Sequence, residues 1–496
     1  MRRITWILLL GAAPILILLL LIVTGCGGGG GPVQQPETGP GTPISAEFVQ
    51  LQPAAQRSAV NVGSDKCAQC HNASGRLDSP AFFTLWSQTL HAQKNVGCEA
   101  CHGPGSVHVA NPSKDNILRG TSVTNPVVCG QCHGPTHDQF KNSRHASPVE
   151  TVLEEATSNP NVYARTCFRC HSAQFRVANV DDPIAEEKTP DQIDANIAAL
   201  SVADLQTFVA GTHESAACVT CHDPHRVTSN LTSTGNQAYL RYPTASTDTT
   251  GLAPGAPVKT YTTINHICGR CHNARGTNPS DTALQASTVR PSMHYGPQYN
   301  ILLGVGGVEG ASGPVVRTST HSTAPDQCVH CHMPNKRHTF TVSLDTSCAP
   351  CHTAADAAAR SDAVRNEFLN GLLALRTRME NWAQGAFNNP AWWDYTSSIT
   401  EEGGTAPTSS QEAQVPIEIK RARYNYYFLL REGSFGIHNT PYSRYLLNIA
   451  NQNLDALGVA PAPTRSTLTP KQIFDILQKD LLRAKAADVH ADEHNL

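Results

Sequence analysis

Apolar residues follow three patterns along this chain, and each predicts a different kind of structure. Residues 6–23 form an almost unbroken apolar run behind Met1, Arg2 and Arg3. From residue 60 to 352 no period is sustained, because apolar side chains are sparse and glycines and prolines interrupt them repeatedly. Such a stretch predicts short helices and extensive loops with little strand. Two segments inside it stand apart. Residues 189–210 carry Ile193, Ile197, Leu200 and Leu205 at loosely helical spacing behind Thr189 and Pro190, which predicts one helix with Thr189 as its cap. Residues 228–263, rich in Ser, Thr, Gly and Pro, predict a long surface excursion or hairpin.

Beyond residue 352 cysteine vanishes and helix formers dominate. Residues 354 to about 382 predict one long helix whose buried face is Val364, Phe368, Leu372, Leu375 and Met379. Residues 416 to about 431 predict a second, dense in Tyr424, Tyr426, Tyr427, Phe428, Leu429 and Leu430, with Gly433 and Gly436 suited to its end. Residues 441–457 and 470 to about 487 predict two more, each with a proline near its start, where a missing amide matters little. The tyrosines are assigned to packing, since an aromatic stripe at helical spacing is the usual signature of a core. The reading is mainly α with extensive loops, closed by a C-terminal helical bundle over residues 353–496.

The N-terminal run follows a charged start, as in a secretory signal, though its length also suits a retained transmembrane anchor. Its ending decides between them: Leu21-Ile-Val-Thr-Gly-Cys26 resembles a bacterial lipobox, whose cysteine is lipidated after cleavage. Residues 1–25 are therefore expected to be a lipoprotein signal peptide, and 26–59 a lipidated Gly/Pro-rich tether. Gly27 is not acidic, which by resemblance to sorting signals favours the outer membrane, facing the periplasm or the cell surface. Several acyl chains anchor a protein stably.

Composition shifts the picture at the cysteines. Sixteen of the 17 lie in eight Cys-Xaa-Xaa-Cys-His pentapeptides; Cys26 is the exception. The cysteines are Cys67 and Cys70, Cys98 and Cys101, Cys129 and Cys132, Cys167 and Cys170, Cys218 and Cys221, Cys268 and Cys271, Cys328 and Cys331, Cys348 and Cys351. Each pair is followed directly by a histidine: His71, His102, His133, His171, His222, His272, His332 and His352. Two thiols at that spacing can each form a thioether with a vinyl group of one haem, and the next residue supplies an axial imidazole. A zinc ribbon has no use for that histidine, and a thioredoxin-like dithiol occurs once. Eight covalently bound c-type haems are expected, stacked within residues 60–352 and supplying the apolar mass that the chain lacks. The shortest interval, Cys328 to Cys348, should make those two porphyrins neighbours.

Second axial ligands must then come mostly from histidine, because Met293, Met333 and Met379 are the only methionines besides Met1. His490 and His494 lie in a polar tail, which leaves twelve histidines outside the motifs. His91, His108, His145, His213, His225, His294, His321, His338 and His438 are taken as metal ligands, whereas His137, His266 and His330 are weaker candidates, the first two open to hydrogen bonding with propionates instead. An aromatic stands five residues before His91, His145, His213 and His266, at Trp86, Phe140, Phe208 and Tyr261, as in a worn repeat of one ligand-supplying turn. No catalytic residue is assigned.

These motifs carry resemblances. His91 with the segment from Val96 through Cys98, Cys101 and His102 to His108 is similar to the tetrahaem cytochrome that accepts electrons from hydroxylamine oxidoreductase. Cys331-His-Met-Pro334 followed by His338-Thr-Phe340 resembles a segment of pentahaem nitrite reductase and octahaem hydroxylamine oxidoreductase, where the later histidine is a distal ligand. Cys351-His-Thr353 before a long helix, then Gly436-Ile-His438, is similar to the last haem and C-terminal helices of the nitrite reductase. The resemblance implies distal roles for His338 and His438. It departs at the catalytic haem, since no Cys-Xaa-Xaa-Cys-Lys occurs, and a tyrosine cross-link as in hydroxylamine oxidoreductases cannot be picked from twelve tyrosines.

A net charge of −3 excludes nothing except a nucleic-acid partner, for which there is no basic surplus. The pattern favours an electron carrier of the cell envelope, serving extracellular respiration, over a substrate-converting enzyme. Its partners would be other redox proteins, an outer-membrane conduit or an extracellular acceptor, with oligomer or filament formation open. The alternative is an octahaem oxidoreductase acting on nitrite, hydroxylamine or a sulfur oxyanion at one open haem.

Overall fold

The computed structural model describes residues 45–72, 81–253, 263–275, 278–286, 293–395, 407–463 and 465–491. The signal peptide, Cys26, most of the tether, Tyr261 and His494 lie outside the described residues. Among the described residues no helix is long and apolar enough to cross a membrane. The fold is helical: no strand forms there, only isolated antiparallel bridges between His222 and Leu240 and between Leu231 and Gln237. Those bridges make the front of the 228–263 excursion a short hairpin.

The motifs dictate the local structure of the first half. In five of them, 98–102, 129–133, 218–222, 268–272 and 348–352, the histidine amide donates to the first cysteine's carbonyl at 2.8–2.9 Å. That bond closes one helical turn, which puts both thiols on one side and the imidazole beneath them. Little aliphatic core accompanies these turns. The main exception joins α1 (Glu150–Ser158) and α2 (Tyr163–His171) to two further helices through Ala156, Tyr163, Phe168, Phe175, Ile193, Ile197 and Leu205.

Those two helices correct the expectation of one helix over 189–210. The chain forms α3 (Pro190–Ala199) and α4 (Val202–Gly211), with extended backbone at Leu200 and Ser201 between them. Each begins in a capping box, Thr189 with Gln192 and Ser201 with Asp204, and the second box stops the first helix. The break lets Ile197 and Leu205 turn into the same cluster.

The C-terminal half is a bundle of α5 (Ala354–Phe387), α6 (Ile417–Glu432), α7 (Thr440–Ala456) and α8 (Pro470–Ala491). α5 buries Phe368, Leu372, Leu375 and Met379, with Val364 half-buried beside them. α6 is buried on every side, including Arg423, Asn425, Arg431 and Glu432, which a central helix can carry only if its polar groups are paired. Asp394 accepts from Arg423 and from Tyr427, each at 2.6 Å, while Asp480 accepts from Tyr426 at 2.6 Å and Arg376 at 2.7 Å. The tyrosines thus pack, with the hydroxyls of Tyr426 and Tyr427 on carboxylates and that of Tyr424 on Gly306 O at 3.2 Å. The same core recruits Ala274, Leu284, Met293, Ile301 and Val308, so the bundle is built partly from chain that precedes residue 352.

α6 stops at Gly433, in the left-handed region at φ +81°. Gly436 follows at φ +88°, where a Cβ would stand 2.2 Å from Phe368 Cε2. Only glycine permits that approach, and the resulting turn returns the chain toward the first half with His438 on it.

Candidate haem-binding sites

Seven of the eight motif histidines face a second imidazole. The pairs are His71 with His108, His91 with His133, His102 with His225, His145 with His272, His171 with His294, His222 with His338, and His332 with His438. Their ring centroids lie 6.1–6.4 Å apart. Two metal–imidazole bonds of about 2 Å each, plus the distance from each nitrogen to its ring centre, give about 6 Å. The rings are therefore too far apart to stack and at the right distance to hold one iron between them. Interplanar angles run from 19° to 68°, so ring stacking does not set the spacing.

Hydrogen bonds orient these rings. Nδ1 of His102 donates to Leu118 O at 2.9 Å, of His108 to Ser113 O at 2.9 Å, of His222 to Ala238 O at 2.6 Å, and of His338 to Lys336 O at 2.9 Å. A carbonyl only accepts, so the proton sits on Nδ1 and the lone pair on Nε2 is left for a metal. Burial favours the neutral form that a metal needs. It pushes His145 and His225 down to about 4 and His171 to about 3. His438 differs: burial lowers it, but the Glu432 carboxylate bonded to its Nδ1 more than offsets that, and the net shift is upward.

The thiols give the order of the sites. The side chains of Cys67 and Cys98, Cys129 and Cys218, Cys170 and Cys271, and Cys268 and Cys328 adjoin one another. Cys101 and Cys132, Cys221 and Cys268, and Cys331 and Cys348 are also close enough to interact electrostatically. Numbered by position in the chain, the motifs form a line of one, two, three, five, six, seven and eight, with the fourth attached to the sixth.

Six further histidines whose side chains are described stay outside the pairs. His213 and His321 are exposed and face no motif histidine, so two of the nine expected distal ligands are not brought to one. His321 Nδ1 donates to Ile437 O at 2.8 Å. His266 is fully buried with both nitrogens committed: Nε2 donates to Thr244 O at 2.8 Å, and Nδ1 accepts from the amides of Cys268 and Gly269 at 3.1 and 2.9 Å. It clamps the sixth motif's turn, although with Cys268 and Cys328 it forms a cluster compact enough for a metal ion. His137 sits one turn after His133 on a short helix, and His330 lies inside the seventh motif. The aromatic-before-histidine repeat therefore leads to an opposed imidazole at His91 and His145 but not at His213 or His266. The eighth motif's His352 faces no second ring among the described residues, and its Nδ1, which in His102 and His222 meets a backbone carbonyl, lies 3.1 Å from Asp356 Oδ2. Sequence reasoning passed over both Asp356 and Glu432, although the His352/Asp356 spacing of four at a helix start was there to read.

A chain that repeats this attachment turn and backs it with imidazoles at metal-bridging distance is a multihaem c-type cytochrome. Residues 45–103 and 128–197 match the family described as cytochrome c554 and c-prime. The chain is 34% identical over 119 residues to the C-type polyheme cytochrome OmcC of Geobacter sulfurreducens, covering 22% of this chain and 14% of that one. It is 24% identical over 179 residues to OmcB of the same species, covering 33% and 20%. It thus spans a fifth or less of the length of those relatives. Among solved structures, the outer cell wall cytochrome OcwA aligns with TM-score 0.46 at 19% identity, over 72% of this chain and 70% of that one. The undecaheme cytochrome from the S-layer of Carboxydothermus ferrireducens aligns with TM-score 0.43 at 20% identity, over 74% and 50%.

Proposed function

We propose that this protein carries electrons at the bacterial cell envelope through eight c-type haems, seven of them ligated by the histidine pairs above. The observation that carries this reading is the uniform 6.1–6.4 Å separation of those pairs, one for each of the first seven motifs. When bound, the haems supply reversible one-electron transfer over short distances. The chain's share is to hold and insulate. Each pentapeptide turn fixes two thioether bonds, the carbonyl-anchored imidazoles set tautomer and orientation, and the adjoining thiols keep neighbouring sites within reach.

Sixteen of the thiols are assigned to attachment, and Cys26 to a lipid that tethers residues 60–352 and the bundle to the outer membrane. The partners are other redox proteins, an outer-membrane conduit or an extracellular acceptor. The test is made on the full-length exported protein. Peptide mass should rise by eight haems, and stopped-flow mixing of the reduced protein with a ferric chelate should reoxidise every one. Absence of a Soret band, or a mass gain other than eight, would overturn the reading. Labelled palmitate should enter the wild type and not Cys26→Ala.

A further inference from the structure

Among the described residues, His352 is the one motif histidine with no imidazole opposite it. Its surroundings are not those of a damaged copy of the other seven. The motif turn is intact, with the His352 amide donating to Cys348 O at 2.8 Å. Thr353 then caps α5, and the first turn of that helix lifts Asp356 to within 3.1 Å of His352 Nδ1. Arg360 Nε holds both Asp356 oxygens at 2.8 Å, so the carboxylate is fixed from one side and faces the imidazole on the other. The His352 side chain is 34% exposed, and the preceding loop leaves Val342 and Leu344 at the surface. The site also lies at one end of the line of motifs, next to the seventh, whose Cys331 senses the charge of Cys348.

An axial histidine whose Nδ1–H donates to a carboxylate is a stronger donor to iron, and it holds its ring without help from a second ligand. A single proximal histidine leaves the other face of a haem to small molecules, and the pocket on that side sets what binds. We propose that the haem attached through Cys348 and Cys351 is held from one side by His352, that Asp356 is the positioning residue for that imidazole, and that the opposite face takes a small exogenous nitrogen, oxygen or carbon donor. This rests on the reading of the motifs as haem sites. It makes the eighth site the end of the relay that meets a diffusing ligand.

The test uses the full-length, haem-loaded protein with carbon monoxide and nitrite as probes. The ferric protein should show a high-spin EPR signal from one haem, which nitrite converts to low spin, and the reduced protein should bind one carbon monoxide per chain. Cys348→Ala with Cys351→Ala should lower the mass by one haem and abolish that binding. Asp356→Asn should keep the stoichiometry and shift the iron–histidine Raman band of the reduced protein to lower frequency. His145→Ala, which opens a second site, should raise the stoichiometry from one to two and shows that the probe counts open irons. An entirely low-spin spectrum with no carbon monoxide bound overturns the proposal, as does binding that survives loss of the Cys348/Cys351 haem. An unmoved Raman band removes Asp356 from it. If the Soret band or the covalent mass is missing altogether, the failure belongs to the haem assignment.

Discussion

Single residues decide two things in this molecule: which imidazoles meet, and how a buried charge is tolerated. The second is sharpest at Asp394, which is 1% exposed and neutralises Arg423, itself 2% exposed. Removing one member of a buried pair leaves the other charge unpaired, at about 3–5 kcal/mol. Asp394→Ala is therefore expected to lower stability by about that much, with the Tyr427 hydroxyl losing its acceptor as well, and the denaturation midpoint followed by far-UV circular dichroism should fall accordingly. No change in midpoint would mean that the pair contributes nothing. For the imidazoles, residue type was legible in the sequence and partnership was not. His108 faces His71, whereas His225 faces His102 and His338 faces His222. Nothing near His338 in the chain points to a motif more than a hundred residues away.

Elements carry the geometry that brings those rings together. The turn after α6 is the clearest case, because Gly436 joins a left-handed backbone to a contact that no side chain could share with Phe368. Gly436→Ala is expected to lower stability by about 1–3 kcal/mol through overpacking and strain, and to move His438, two residues on, away from His332. Carbon monoxide binding by the reduced protein would then rise from one to two per chain, and a stoichiometry still at one would show that the turn absorbs the change. The helix at 354 was readable from three-and-four spacing, because it buries one apolar face, and its three successors from helix formers bounded by prolines and glycines. The break between α3 and α4 was readable too, in Ser201 and Asp204 three residues apart. It was passed over because the apolar spacing runs through it.

The whole molecule divides its stability unevenly. The bundle has an aromatic and aliphatic core of its own, whereas the motif-bearing half has only small clusters around its turns. Haem-free protein, made without the attachment machinery, should therefore be cut by a limiting protease mainly before Ala274, leaving a resistant C-terminal part, while haem-loaded protein resists throughout. A haem-free chain as resistant as the loaded one would mean that the polypeptide alone packs the first half. A resistant part that starts at residue 353 would mean that Ala274, Leu284, Met293, Ile301 and Val308 are dispensable to the bundle core they join.

By itself, the sequence determined everything that depends on neighbours along the chain. Thiols three apart with a histidine after them close one turn wherever they occur, and apolar residues at three and four make a helix with a buried face. Tertiary structure alone decided which imidazole opposes which, in what order the sites follow one another, and that among the described residues no ring stands opposite His352. The physical reason is range: a turn forms from contacts within five residues, whereas an opposed pair forms when two distant segments are packed at one separation, and no local pattern encodes that separation.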